Sequence, residues 1–272
     1  ITTGVGFTPF TSAYYIMLLP YSIVTISIVT ALLPHLSKLA IDKNVEEVKK
    51  QLIRAIRLCG VITVPSSVAF LLFGSLMTEV LFFGISLEDS RYIGYVLSAL
   101  SLGLVAFSIN LVLIRGFNAF EDTKTQVVSI LIINIISSAL SYLFLATLKS
   151  EFVTIGLGLA FAISYILGLF VTIALLRKHI GSLEISQFIG QHARLYLASA
   201  IAMVPFFLLA FFLNWMNDDA SPLIGVARLL VVLIGSGVGF LLVAHALKIT
   251  EITAMKEFAI SLLGKRRAAR AK

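Results

Sequence analysis

PFTSAYYIMLLPYSIVTISIVTALLPHLSK, residues Pro9 to Lys38, carries no Asp, Glu, Lys or Arg until its last residue. About 20 apolar residues are enough for an α-helix to cross the hydrocarbon of a bilayer, so Pro9–Leu36 reads as a membrane span. It is a polar one. Thr8, Ser12, Tyr15, Ser22 and Thr25 recur at intervals of three, four or seven residues and fall on one helix face. Pro20 removes a backbone donor in mid-span, which predicts a bend and requires neighbouring protein or a wet cavity to satisfy the freed carbonyl. The stretch therefore reads as a cavity-lining helix.

The whole chain agrees with a membrane setting. Its 272 residues are 59% hydrophobic and 13% charged, with a mean hydropathy of +1.02, too apolar for a soluble domain. The single cysteine, Cys59, lies in an apolar run and offers neither a disulfide framework nor a cysteine metal site. His35, His179, His192 and His245 are dispersed without metal-ligand spacing. HExxH, GxSxG, P-loop and GxGxxG patterns are missing from the positions where they would carry chemistry. The reading is of a non-enzymatic protein with no metal and no cofactor. The first residue is Ile1, and the first span lacks the basic flank and cleavage site of a signal peptide. The chain is expected to be part of a longer protein.

Six further spans are expected at about Leu58–Phe83, Tyr92–Phe117, Val127–Leu148, Phe152–Leu176, Leu195–Trp215 and Leu223–Leu247. Seven spans put all but three of the 21 Lys and Arg on one side, the exceptions being Arg91, Lys149 and Arg228. Because cytoplasmic loops collect Lys and Arg, that side is the cytoplasmic one. The first residues are then extracytoplasmic and the C-terminus cytoplasmic. The net charge of +7 reflects topology and contact with anionic lipids, and calls for no nucleic acid.

Two cytoplasmic segments are amphipathic. In 44–57, Asn44 can cap a helix with Glu47 three residues on, and Val45, Val48, Leu52 and Ile56 make an apolar stripe; the helix is expected to lie in the interface and run into the second span. In 250–272, Ile252, Met255, Ala259 and Leu262 make a second stripe before the basic KRRAARAK tail. Ser164 with Gly168, and Gly235, Gly237 and Gly239, mark places where helices approach closely.

Three blocks in order carry a family resemblance: LLPHLSK at Leu32–Lys38, LCGVITVPSSVAF at Leu58–Phe70, and RGFNAFEDTKTQ at Arg115–Gln126. Together they resemble the MurJ/MviN family of lipid II flippases, of which the chain is similar to the C-terminal half. The resemblance implies an all-α polytopic bundle, the C-terminal lobe of a two-lobe exporter-type fold plus two extra C-terminal helices. Residues 1–176 would be the lobe and 177–249 the added pair, which in the family forms a groove for the lipid tail. It further implies a substrate, a polyprenyl-pyrophosphate-linked peptidoglycan precursor, moved from inner to outer leaflet of the bacterial cell membrane by rocking against an N-terminal lobe.

The family places an acidic-basic pair on the first helix of this half, where this sequence has Ala13, Tyr14, Tyr15 and Ile16. Recognition of the head then falls to hydroxyls and amides here, or to the other lobe. The candidate substrate-binding set is Ser12, Tyr14, Tyr15, Ser22, Thr25, Asn110 and Arg115. Each has a plainer role open to it. Tyr14 and Tyr15 also suit an aromatic belt, Arg115 can snorkel to the interface, and Asn110 can bond between helices. Glu79 reads as an interfacial carboxylate or a cation ligand. Asp122 and Lys124 shape the cytoplasmic turn or gate it by pairing. Two other functions stay open: export of another lipid-linked saccharide or a drug, and a non-transporting scaffold for cell-wall machinery.

Overall fold

Pro20 has no amide hydrogen for the carbonyl of Ile16, and the first span breaks just beyond it. In the computed structural model, which describes residues 6–183, 185–215, 221–249 and 251, α1 (Phe7–Pro20) passes through a π-helical turn at Tyr21–Thr25 into α2 (Ile26–Ile41). The turn closes with the Ile26 amide on the Tyr21 carbonyl, five residues back. The two halves meet at 47°. The bend expected from Pro20 is present.

Six unbroken helices follow: α3 (Val45–Leu81), α4 (Leu87–Ala119), α5 (Thr123–Thr147), α6 (Ser150–Ile180), α7 (Ile185–Phe212) and α8 (Pro222–Ala246). All six are long and apolar enough to cross a membrane, and the bent α1–α2 pair, taken together, is so as well. The ends follow local chemistry. The Asn44 side chain accepts the Glu47 amide at 3.2 Å and starts α3, while Glu46 and Glu47 complement the positive end of its dipole. Ser86 and Asp89 form a reciprocal cap at the start of α4. Gly181, at φ 68°, stops α6.

Residues 45–57 are the first turns of α3 and run into the second span, as expected. At about 1.5 Å per residue, its 37 residues exceed the roughly 30 Å of hydrocarbon. Val48, Leu52 and Ile56 are fully buried and pack with Phe117, Leu176 and Ile180 at one end of the bundle. The stripe expected in the interface is a core face instead, because residues of α4 and α6 cover it. The 252–262 stripe and basic tail fall outside the described residues.

A second core, nearer the other end, gathers Met17, Phe73, Leu97, Leu100 and Leu104. There α3 and α4 cross almost backbone to backbone: a Cβ on Gly74 would lie 2.8 Å from the Gly94 carbonyl oxygen. Ser67 Oγ donates to the Ser101 carbonyl at 2.7 Å and Ser98 Oγ to that of Phe70 at 3.1 Å. Small side chains allow this approach, and their hydroxyls bond across it. Of the sequence's small-residue sites, Gly168 abuts Ile133 of α5, Gly235 receives the Phe206 ring, and Gly239 faces Ala202. Gly237 meets nothing within 4 Å. Helix α4 is the most covered span and α5 the least.

Candidate functional site

The inner side of α1 is set by Ala13, Ile16 and Met17, all buried. Rotation about the helix then leaves the hydroxyl side uncovered by the rest of the chain. Tyr15 is 65% exposed, Ser12 is half-buried, and Thr8 and Ser22 are exposed. Ser22 Oγ donates to the Leu19 carbonyl at 3.0 Å. Tyr14 is half-buried and sets its ring edge-on to Phe161 at 5.8 Å. Thr25 departs from the face and is fully buried. The π turn carries one more residue per turn than an α-helix and shifts the register there.

Asn110 is 1% exposed and its amide is engaged within the bundle. Its Nδ2 donates to the carbonyls of Ala106 and Tyr165, at 3.0 and 3.1 Å, and its Oδ1 accepts from Thr172 at 2.7 Å. Ser129 of α5 lies 2.8 Å from the same threonine hydroxyl. The chain of bonds ties α4, α5 and α6 together and makes Asn110 an interhelical residue. Arg115 is half-buried, and its Nε is buried without a hydrogen-bond partner among the described residues.

In the turn between α4 and α5, Asp122 caps α5 by accepting the Thr125 amide at 3.0 Å. Its Oδ2 lies 2.7 Å from Nε2 of His179 at the end of α6, whose ring stacks on Phe120 at 5.0 Å. The Thr125 hydrogen bonds first, and His179 second, hold the Asp122 carboxyl down to about 2. Lys124 is exposed, and the partner of Asp122 is His179, which sequence spacing had left without a role.

Two of the cavities lie against α8. An apolar groove of about 820 Å³ runs between α3 and α8, walled by Val61, Pro65, Ser66, Gly237, Leu241 and His245. A second pocket, of about 590 Å³, lies where the end of α3 meets the starts of α4 and α8, with Glu79, Ser90, Trp215 and Arg228 in its wall. Glu79 Oε1 is 2.6 Å from Arg91 Nε, and the Arg228 guanidinium sits 5.7 Å from the centre of the Trp215 ring. Gly237, expected at a close helix approach, lines the α3–α8 groove instead.

The family model described as "Lipid II flippase MurJ" matches residues 3–235. The chain belongs to the MurJ family. A probable lipid II flippase MurJ of Rhizobium meliloti is 31% identical over 112 residues, 40% of this chain and 21% of that protein. The lipid II flippase MurJ of Burkholderia cenocepacia is 26% identical over 155 residues, 56% of this chain and 30% of that one. A probable lipid II flippase MurJ of Rickettsia prowazekii is 30% identical over 152 residues, 55% and 30% of the two chains. A solved lipid II flippase MurJ in an inward closed conformation superposes with a TM-score of 0.65 at 20% identity, over 88% of this chain and 47% of that chain. The fold is thus that of a multi-pass MurJ membrane protein, and the chain spans less than half the length of the relatives it matches.

Proposed function

We propose that this chain is the C-terminal half of a flippase that carries lipid II from the inner to the outer leaflet of the bacterial inner membrane by alternating access. The observation that carries the reading is the family match over residues 3–235. The physics of the task agrees with the architecture. A pyrophosphate-sugar head left unpaired in hydrocarbon costs several kcal/mol or more, so it needs a polar path while its polyprenyl tail stays in lipid. The uncovered hydroxyl side of α1, with Ser12, Tyr15 and Ser22, supplies part of such a path against an N-terminal lobe. Tyr14 at its edge and Arg115 toward the basic end complete the set of head contacts.

Residues 1–176 form the lobe in this reading and 177–249 the added pair α7–α8. The groove that suits the tail is walled by α3 and by α8 of the added pair. The Lys- and Arg-rich ends face the cytoplasm and its anionic lipids. Leaflet exchange of labelled lipid II in vesicles holding the complete protein tests the proposal. Exchange well above that of protein-free vesicles is the expected result. Exchange of a different lipid-linked saccharide but not of lipid II would assign the fold to another cargo.

A further inference from the structure

We infer that His192 is a proton-operated latch between α7 and α3. With its ring neutral it is seated against Gly60 and closes the seam between the two helices; with its ring protonated it leaves that seat and the start of α7 loosens. The inference does not depend on the cargo and stands apart from the flippase reading.

His192 is 7% exposed and lies near the start of α7. Its Nδ1 is 2.8 Å from the Phe188 carbonyl oxygen. A carbonyl only accepts, so the neutral ring carries its hydrogen on Nδ1 and a lone pair on Nε2. That Nε2 is buried and has no hydrogen-bond partner among the described residues. It occupies the notch that Gly60 leaves on α3, where a Cβ would stand 2.6 Å from Nε2 and 3.0 Å from Cε1. The Phe188 ring packs edge-on to the imidazole, with centroids 6.2 Å apart. A neutral ring with a bare lone pair fits such a place, whereas a charged N–H without an acceptor does not.

The preceding residue shows how lightly this turn is held. Gln191 is 8% exposed, its Nε2 donates to the Arg57 carbonyl at 3.1 Å, and its Oε1 is buried without a partner among the described residues. Over this turn the two helices share the Gln191–Arg57 hydrogen bond and leave two buried acceptors unanswered. Buried polar groups are paired in almost all native interiors, so the exceptions call for a role. The charged groups at the seam are Arg57 of α3 and Glu251 beyond α8, which meet at 2.6 Å. Glu251 is close enough to act on His192, while Arg54 of α3 and Arg194 of α7 are exposed. A proton taken up at Nε2 uses the lone pair, breaks no bond and leaves the ring cationic, with an N–H that the Gly60 notch cannot satisfy. The ring then swings out toward the Glu251 carboxylate, and the turn is left to the Gln191 contact. Imidazole protonation that repacks an interface in this way is a general switching device.

The test uses the complete protein in lipid nanodiscs, with amide hydrogen exchange read by mass spectrometry at about pH 7.5 and about pH 5.5, either side of an ordinary imidazole. Rates are corrected for the intrinsic pH dependence of exchange. In the wild type, protection of the first turns of α7 and of the facing turn of α3 is expected to fall roughly tenfold between the two, as for an opening coupled to one proton. H192F and H192Q, which do not titrate, should show no such fall, and H192F keeps a ring for the notch should H192Q unfold. G60A fills the notch and should lower the same protection already at about pH 7.5. Equal protection of the wild type at both pH values would overturn the latch, as would the same fall in H192F and H192Q, or wild-type protection in G60A. A fall confined to the start of α5 and the end of α6 would overturn it too, by assigning the response to Asp122 and His179.

Discussion

Asp122 and His179 stand 57 residues apart in the chain and meet at 2.7 Å, the carboxylate closing the start of α5 and the imidazole the end of α6. The same carboxylate accepts the Thr125 amide, so one side chain both starts a helix and fastens it to its neighbour. Because its pKa is lowered from 3.8 to about 2, its contribution is complete above the ordinary carboxylate value and disappears as pH falls through the folded one. Asp122→Asn should therefore lower the thermal midpoint at pH 7, and the gap from wild type should close as pH falls from about 4 toward about 2. A gap that is constant with pH would remove the carboxylate charge from the account.

Gly94 offers no room for a side chain, since a Cβ there would run into the backbone of Ser75. Gly94→Val must push α3 and α4 apart at their tightest crossing. Overpacking of this kind costs about 1–3 kcal/mol or more, so a thermal midpoint many degrees lower is expected in detergent. An unchanged midpoint would mean that the crossing is looser than the structure has it.

Asn110 separates stability from transport. Asn110→Leu removes the bonds to Tyr165 and Thr172, worth roughly 1 kcal/mol in a membrane bundle. The expected result is a small loss of stability with lipid II exchange close to wild type. Exchange that is abolished while stability holds would return Asn110 to the substrate path.

Tyr15 and Thr25 test which side of α1 meets water. In a Cys59→Ala background, the complete protein with Tyr15→Cys should react with a membrane-impermeant maleimide, and with Thr25→Cys it should not, because Thr25 is fully buried. Labelling of Tyr15→Cys by a lipid-soluble reagent alone would turn the hydroxyl side toward acyl chains and remove the proposed path.

Arg57 and Glu251 join the start of the α3 span to the segment after α8, at 2.6 Å. Glu251 is nearly buried and Arg57 about a third exposed, so Glu251→Gln should cost about 1–2 kcal/mol once solvent screening is allowed for. The charge swap Arg57→Glu with Glu251→Arg should recover part of it. A double variant no better than the single ones would show that the pair contributes little beyond its packing.

The spans, the bend after Pro20 and the Asn44 cap were all legible along the chain. Each is a local property: a run of about 20 uncharged residues, a missing amide hydrogen, a side-chain oxygen three residues before an amide. The three sequence blocks between Leu32 and Gln126 were enough to point to the family. Only the tertiary structure decided that Asn110 belongs to an interhelical network, that Val48, Leu52 and Ile56 face a core, that Asp122 answers His179, and that α3 and α8 wall an apolar groove. The reason lies in the solvent. Lipid is as apolar as a protein interior, so the hydropathy that reveals a span says nothing of which side turns to a neighbouring helix and which to acyl chains. That choice is made by close packing and hydrogen bonds between residues far apart in sequence.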